Sequence, residues 1–242
     1  MNDYLHILLL PGSETLCLSV LFIVLASGRY RLAITLLFMC AFATLFNSYL
    51  KSIWQIPLPI TANSNGWAFP SGHMHFACVF WLTLALSIGR QYFYAAIPLL
   101  VALGYALVAK GYHYPADIFP SALLGACEAY YANRYLFKGH THSLPIIALG
   151  SIMFFFNPQN FTLLSVSLGA LLALGAILHK VQNRETPMAF QLTVLSAIFI
   201  YSMIEILNFN ALEHSRIVGT LFSAMITLFT WKILASKNQY GH

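Results

Sequence analysis

Apolar residues fill this chain in stretches laid almost end to end, parted by short clusters of glycine, proline and polar side chains. Against a hydrocarbon layer of about 30 Å, these stretches predict about nine membrane-spanning helices. They fall at roughly 13–28, 31–52, 73–90, 92–111, 115–136, 144–156, 161–180, 188–209 and 216–236, the sixth being short. Breakers lie between them at Ser27-Gly28, Gly89, Asn157-Pro158 and Thr186-Pro187. One long connection, 53–72, carries Pro57, Pro59, Asn63, Asn65 and Gly66; a structureless loop of that length in a tight bundle tends to be functional. No internal repeat or low-complexity tract is present.

Length alone would allow one or two soluble domains, but composition overrides it. With 59% apolar and 8% charged residues, the chain lacks the polar shell a soluble core needs. The fold class expected is therefore all-α, a polytopic membrane helix bundle. The net charge of +5 comes from basic residues scattered singly or in pairs, which excludes a nucleic-acid interface. Cys17, Cys40, Cys78 and Cys127 all lie inside apolar runs with no CxxC pair, so they are expected as small core residues. The N-terminus lacks a basic segment, and the first apolar run is expected to be an anchor rather than a cleaved signal.

Nine spans place Arg29, Arg31, Arg90, Arg134, Lys138, Lys180, Arg184, Lys232 and Lys237 on one side, and Lys51, Lys110 and Arg216 on the other. The richer side is expected to be cytoplasmic, with the N-terminus outside and the C-terminus inside. The outer side then gathers Lys51, the long loop, Ser71-Gly72-His73, and Lys110 through Asp117. Pro70-Ser71-Gly72 is a turn feeding an apolar run. A helix starting there turns unpaired N–H groups and the positive end of its dipole toward an anion. In the second stretch, Pro115 suits a first helical turn, and the His113-x-x-x-Asp117 spacing lets the carboxylate hold the imidazole. Two histidines, a carboxylate and cations at helix ends predict an anion pocket.

Pro70-Ser71-Gly72-His73, followed by the string Gly111-Tyr112-His113-Tyr114-Pro115-Ala116-Asp117, resembles the type 2 phosphatidic acid phosphatase (PAP2) superfamily. This superfamily shares its active-site design with the vanadium haloperoxidases, whose soluble members the hydropathy excludes. The family's motifs are K-x6-R-P, P-S-G-H and S-R-x5-H-x3-D. The second is complete here, the third survives at His113 and Asp117, and the first survives as Lys51 and Pro59. Leu58 stands in place of the first motif's arginine, and Ala106-Leu107 in place of the third's serine-arginine. A bidentate guanidinium is not replaced by leucine. Lys110 is a candidate stand-in cation, with Gln55, Asn63, Asn65, Trp67 and His75 as further polar groups near in sequence.

The resemblance covers about residues 30–136 and implies a PAP2-like catalytic core over 1–138 (spans one to five), with a four-span extension of unassigned role over 139–242. It implies His113 as nucleophile, Asp117 as the partner of its ring, and His73 as the acid for the leaving oxygen. Ser71, Gly72, Lys51 and Lys110 would bind phosphate, and neither metal nor cofactor would be needed. Each has a plainer reading beside it: helix caps for Ser71 and the His113–Asp117 pair, interfacial side chains for His73 and Lys51. The substrates implied are lipid phosphates or isoprenoid (di)phosphates, acted on at the non-cytoplasmic face of a membrane such as the bacterial inner membrane. A small soluble phosphate, phosphoryl transfer to another acceptor, and a degenerate, non-catalytic lipid-binding protein are the alternatives. Glu128, on the same helical face as Asp117 and deeper, is a functional candidate as an intramembrane carboxylate, or a hydrogen-bond partner for a neighbouring helix. Glu14 and Glu205 read likewise. His140 and His142, beside Lys138, are expected in a solvated cytoplasmic loop, although Gly-His-Thr-His could catch a metal adventitiously.

Overall fold

The computed structural model describes residues 3–62, 66–137 and 143–157, with isolated positions 167, 169–171 and 174. Every regular element among them is helical: α1 (Asp3–Leu9), α2 (Glu14–Ala26), α3 (Tyr30–Trp54), α4 (Gly72–Ile88), α5 (Arg90–Ala109), α6 (Pro115–Tyr131) and α7 (Ser143–Phe155). Short 3-10 turns occupy Leu10–Gly12 and Ile60–Ala62, and a π-helical stretch, Ala132–Phe137, continues α6. The expected spans from 13 to 156 each coincide with one of α2 to α7. Those at 161–180, 188–209 and 216–236 lie outside the described residues, apart from the isolated positions. So do Asn63, Asn65, His140, His142 and Glu205.

Among the described residues, two helices, α3 and α5, are long and apolar enough to cross a membrane, with mean hydropathies of 1.7 and 1.9; the number is three if the bent pair at the N-terminus is one span. The expected first span, 13–28, is α2, and a further helical piece that was not expected precedes it: Tyr4–Gly12 and Glu14–Ala26 are bent by 53° to one another. The bend has a local cause: Pro11 lies in the intervening 3-10 turn, and Ser13 leaves helical geometry to cap α2, its Oγ accepting the Leu16 N–H. The α4 helix is apolar but has 17 residues, about 26 Å of helix.

Helices α3 and α4 form the centre. Leu32, Ile34, Leu36, Phe38 and Met39 bury α3 on several sides, against α2, α4, the π stretch and α7. On α5 the stripe Ala96, Leu100, Leu103, Leu107 follows helical spacing into the interface with α4. The opposite face of α5 is also apolar and exposed, with Val101 at 65% and Tyr105 at 59%. A helix apolar all round calls for a nonpolar solvent on its outer side.

The closest crossing is between α4 and α6. A Cβ on Gly125 would stand 2.6 Å from Cys78 Cβ and 2.8 Å from the His75 carbonyl oxygen. Neither obstacle is the loose end of a side chain, so Gly125→Ala is expected to destabilise the protein by about 1–3 kcal/mol. A fall in thermal midpoint in detergent would register it; an unchanged midpoint would mean that the helices part at no cost.

The long connection is not structureless. Pro57 and Trp67 form an isolated antiparallel bridge, and the Ala68 N–H donates to the Ile56 carbonyl at 2.6 Å. The 3-10 turn is strapped to the α5–α6 connection by Thr61 Oγ1, which donates to the Gly111 carbonyl at 2.8 Å. Gly111 itself needs a left-handed backbone (φ +71°), which its lack of a Cβ permits.

Candidate active site

One end of the bundle collects the C-termini of α3 and α5 and the N-termini of α4 and α6. The arginines described lie elsewhere: Arg31, for example, donates to the Leu136 carbonyl at 3.0 Å, near the start of α3 and the end of the π stretch. Ser71 caps α4, its Oγ facing the Met74 N–H at 3.5 Å. Its own N–H donates to the Asp117 carbonyl at 3.3 Å, and that bond joins the two motifs directly. Lys51 sits in the last turn of α3. Its Nζ is 3.9 Å from where a Cβ on Gly72 would stand, so the absence of a side chain at Gly72 leaves room for the ammonium above the turn.

His113 and Asp117 are both buried, 7% and 3% exposed, whereas His73 is exposed. Asp117 Oδ2 accepts the Tyr114 N–H at 2.8 Å, which pins the carboxylate to the start of α6. It stands 3.5 Å from His113 Nδ1, an electrostatic contact rather than a formed hydrogen bond; Nδ1 has no hydrogen-bond partner among the described residues. Catalytic bonds are often this loose before substrate arrives. Burial pushes the His113 imidazole down to about 4; the Lys51 ammonium and His73 push the same way, and the Asp117 carboxylate opposes them.

Other candidates go elsewhere. The Lys110 ammonium lies 3.1 Å from His6 Nε2 on α1, a contact that the sequence did not foreshadow, so its partner is the N-terminal helix rather than the Gly72 turn. Gln55 is exposed and folds back on the Ser52 carbonyl. His75 turns inward instead of toward an anion: its Nε2 is 2.8 Å from Glu128 Oε1, and both side chains are buried. Asn47 was absent from the sequence expectations altogether, yet it stands one helical turn before Lys51 and donates to the Pro70 carbonyl at 3.3 Å. A buried amide within an apolar run, four residues before a lysine, was the available signal.

The positions that lack the family's arginines are also explained. Ala106 and Leu107 are 0% and 1% exposed within the α5 core, and the Leu107 carbonyl accepts the N–H groups of Tyr112 and His113. Among the described residues, no group of three His, Cys, Asp or Glu side chains is placed to hold a metal ion.

The segment spanning 32–141 matches the family model of the PAP2 superfamily. It is a PAP2 domain. The match encloses Lys51, Ser71, Gly72, His73, Lys110, His113 and Asp117, and members of this superfamily are generally phosphatases. No curated protein and no solved structure matched the chain. Within the PAP2 segment the side chains of the site come from α3, α4 and α6 and from the connections before α4 and between α5 and α6, while α7, in the expected extension, packs on α3.

Proposed function

We propose that this PAP2 protein is an integral membrane phosphatase acting on lipid phosphates or isoprenoid (di)phosphates through a phosphohistidine intermediate. The observation that carries this reading is the joining of the motifs at one helix-end cluster: the Ser71 N–H is bonded to the Asp117 carbonyl, Asp117 Oδ2 stands 3.5 Å from His113 Nδ1, and the Lys51 ammonium lies over the Gly72 turn that leads into His73. His113 Nε2 attacks phosphorus with its lone pair as the bond from phosphorus to the leaving oxygen breaks, and His73 gives that oxygen its proton. Water then attacks, the P–N bond breaks and phosphate leaves. Asp117 faces Nδ1 and stabilises the ring while it carries charge. Lys51 and the first amides of α4 bind the phosphoryl oxygens.

Exposed apolar side chains border the site, Trp54 at 46%, Ile56 at 42% and Ile60 at 99%, and they favour a substrate delivered from lipid. The charge asymmetry of the connections favours the non-cytoplasmic face. Cysteines introduced singly into 53–72 are accordingly expected to react with an impermeant thiol reagent from outside; protection there, with labelling from the cytoplasmic side, would overturn the orientation.

Phosphate release by the purified protein across phosphatidic acid, phosphatidylglycerol phosphate, an isoprenoid diphosphate and a soluble sugar phosphate tests the function. Release from the lipid or isoprenoid substrates is expected. Release from the sugar phosphate alone would favour the small-molecule reading. No release from any would favour a lipid-binding protein without catalysis, the reading that Leu58 and the buried Leu107 support.

A further inference from the structure

Beneath the phosphate site lies a second polar layer that the reaction above does not use. Asn47 on α3, His75 on α4 and Glu128 on α6 are 8%, 0% and 8% exposed, and their side chains meet across the three helices. Their hydrogen bonds have a fixed direction. The Pro70 carbonyl can only accept, so Asn47 must offer it the amide NH2, at 3.3 Å. The same nitrogen faces His75 Nδ1 at 3.4 Å, which makes Nδ1 the acceptor and puts the ring proton on Nε2. Nε2–H then donates to Glu128 Oε1 at 2.8 Å. The imidazole is further held edge-on by the Phe46 ring, 6.0 Å between centroids.

The chain thus begins at a carboxylate in α6 and ends on the carbonyl immediately before Ser71. It is a poor device for stability alone. Glu128 Oε2 has no hydrogen-bond partner among the described residues, and a half-satisfied buried pair is worth less than apolar packing of the same shape. It does have an address: the turn whose next amides, at Gly72 and His73, lack intrahelical acceptors and are left for an anion. Gly125 permits the contact, because its bare backbone lets α6 approach the His75 carbonyl.

We propose that Asn47, His75 and Glu128 act as one positioning unit that fixes the Pro70-Ser71-Gly72 turn, and with it the donors for the transferring phosphoryl group. The inference rests on the phosphatase reading. Removing any member lets the turn move, and donors that must meet charge developing in the transition state are sensitive to such movement.

The test uses the full-length protein in detergent with dioctanoyl phosphatidic acid, assayed well below each variant's thermal midpoint. Asn47→Leu and Glu128→Leu are each expected to lower kcat roughly tenfold, with KM moving less. The double variant should be no slower than the slower single one, because both changes cut the same chain. Glu128→Gln, whose Oε1 accepts the same bond, should restore the wild-type kcat. If the leucine variants do not fold, Asn47→Asp, which removes the amide donors at constant shape, should be slow where Glu128→Gln is not. Wild-type kcat in the leucine or aspartate variants, or losses that multiply in the double variant, would overturn the unit while leaving the phosphatase standing. A wild-type protein that releases no phosphate from any substrate would overturn both.

Discussion

Replacing His113 by alanine is expected to cut phosphate release by roughly four orders of magnitude or more, because removing a covalent nucleophile leaves only binding and electrostatic stabilisation to act. Because the ring is buried, release is to be compared with the wild type well below the variant's thermal midpoint. A nucleophilic imidazole must have a free lone pair, and the site favours that form. Burial pushes His113 down to about 4 and the Lys51 ammonium assists, so the ring is neutral at physiological pH. The sign for pH dependence follows directly. Above the His113 value the nucleophile is available; as pH falls through about 4 it takes up a proton and kcat/KM declines. Between pH 7 and 5 this group imposes no loss. Two measurements check the assignment: the acid limb of the profile, and a rapid-quench single turnover that traps phosphate covalently on the wild type but not on His113→Ala. An alanine variant with undiminished release would exclude the histidine route.

Much of this was legible in the residues because the informative ones are bound to helix ends. The turn at Pro70-Ser71-Gly72 and the proline at 115 mark where α4 and α6 begin, and a helix start fixes where the next side chains stand. Apolar runs of spanning length located α3 and α5 to within a few residues. Less legible was anything that depends on which helices touch. Periodicity cannot say that α4 and α6 cross at Gly125, so the pairing of His75 with Glu128 and the redirection of His75 away from the phosphate site could not be read. Nor could α1, which precedes the first expected span and is set off from α2 by Pro11 and the Ser13 cap. Lys110 shows the limit of sequence distance. Three residues from His113, it nonetheless lies against His6, which the packing of α1 on α5 brings to it.

Lys51→Met is expected to lower kcat/KM by roughly 10²- to 10³-fold, the cost of losing a preorganised charge from a site that stabilises a phosphoryl transition state. Methionine keeps an unbranched apolar stem and takes away only the ammonium. The effect should be large because of what stands at the other cation positions. Leu58 is half-buried beside Gly66, and Leu107 is locked in the α5 core. Asp117 already offsets one positive charge, so a dianionic substrate depends on Lys51 more heavily than a monoanionic one. A phosphomonoester is dianionic above its second ionisation near 6, whereas a diester stays monoanionic. The loss at pH 7.5 should therefore exceed the loss at pH 5.5 for a monoester, after the wild-type profile is divided out. Lys110→Met is the matched control. Its ammonium faces His6 at 3.1 Å, not the Gly72 turn, and its kcat/KM should stay within about twofold of wild type. A damaging Lys110→Met beside a harmless Lys51→Met would reverse the assignment of cations at this rim. It would mean that the α5–α6 connection swings its lysine onto the phosphate when substrate binds.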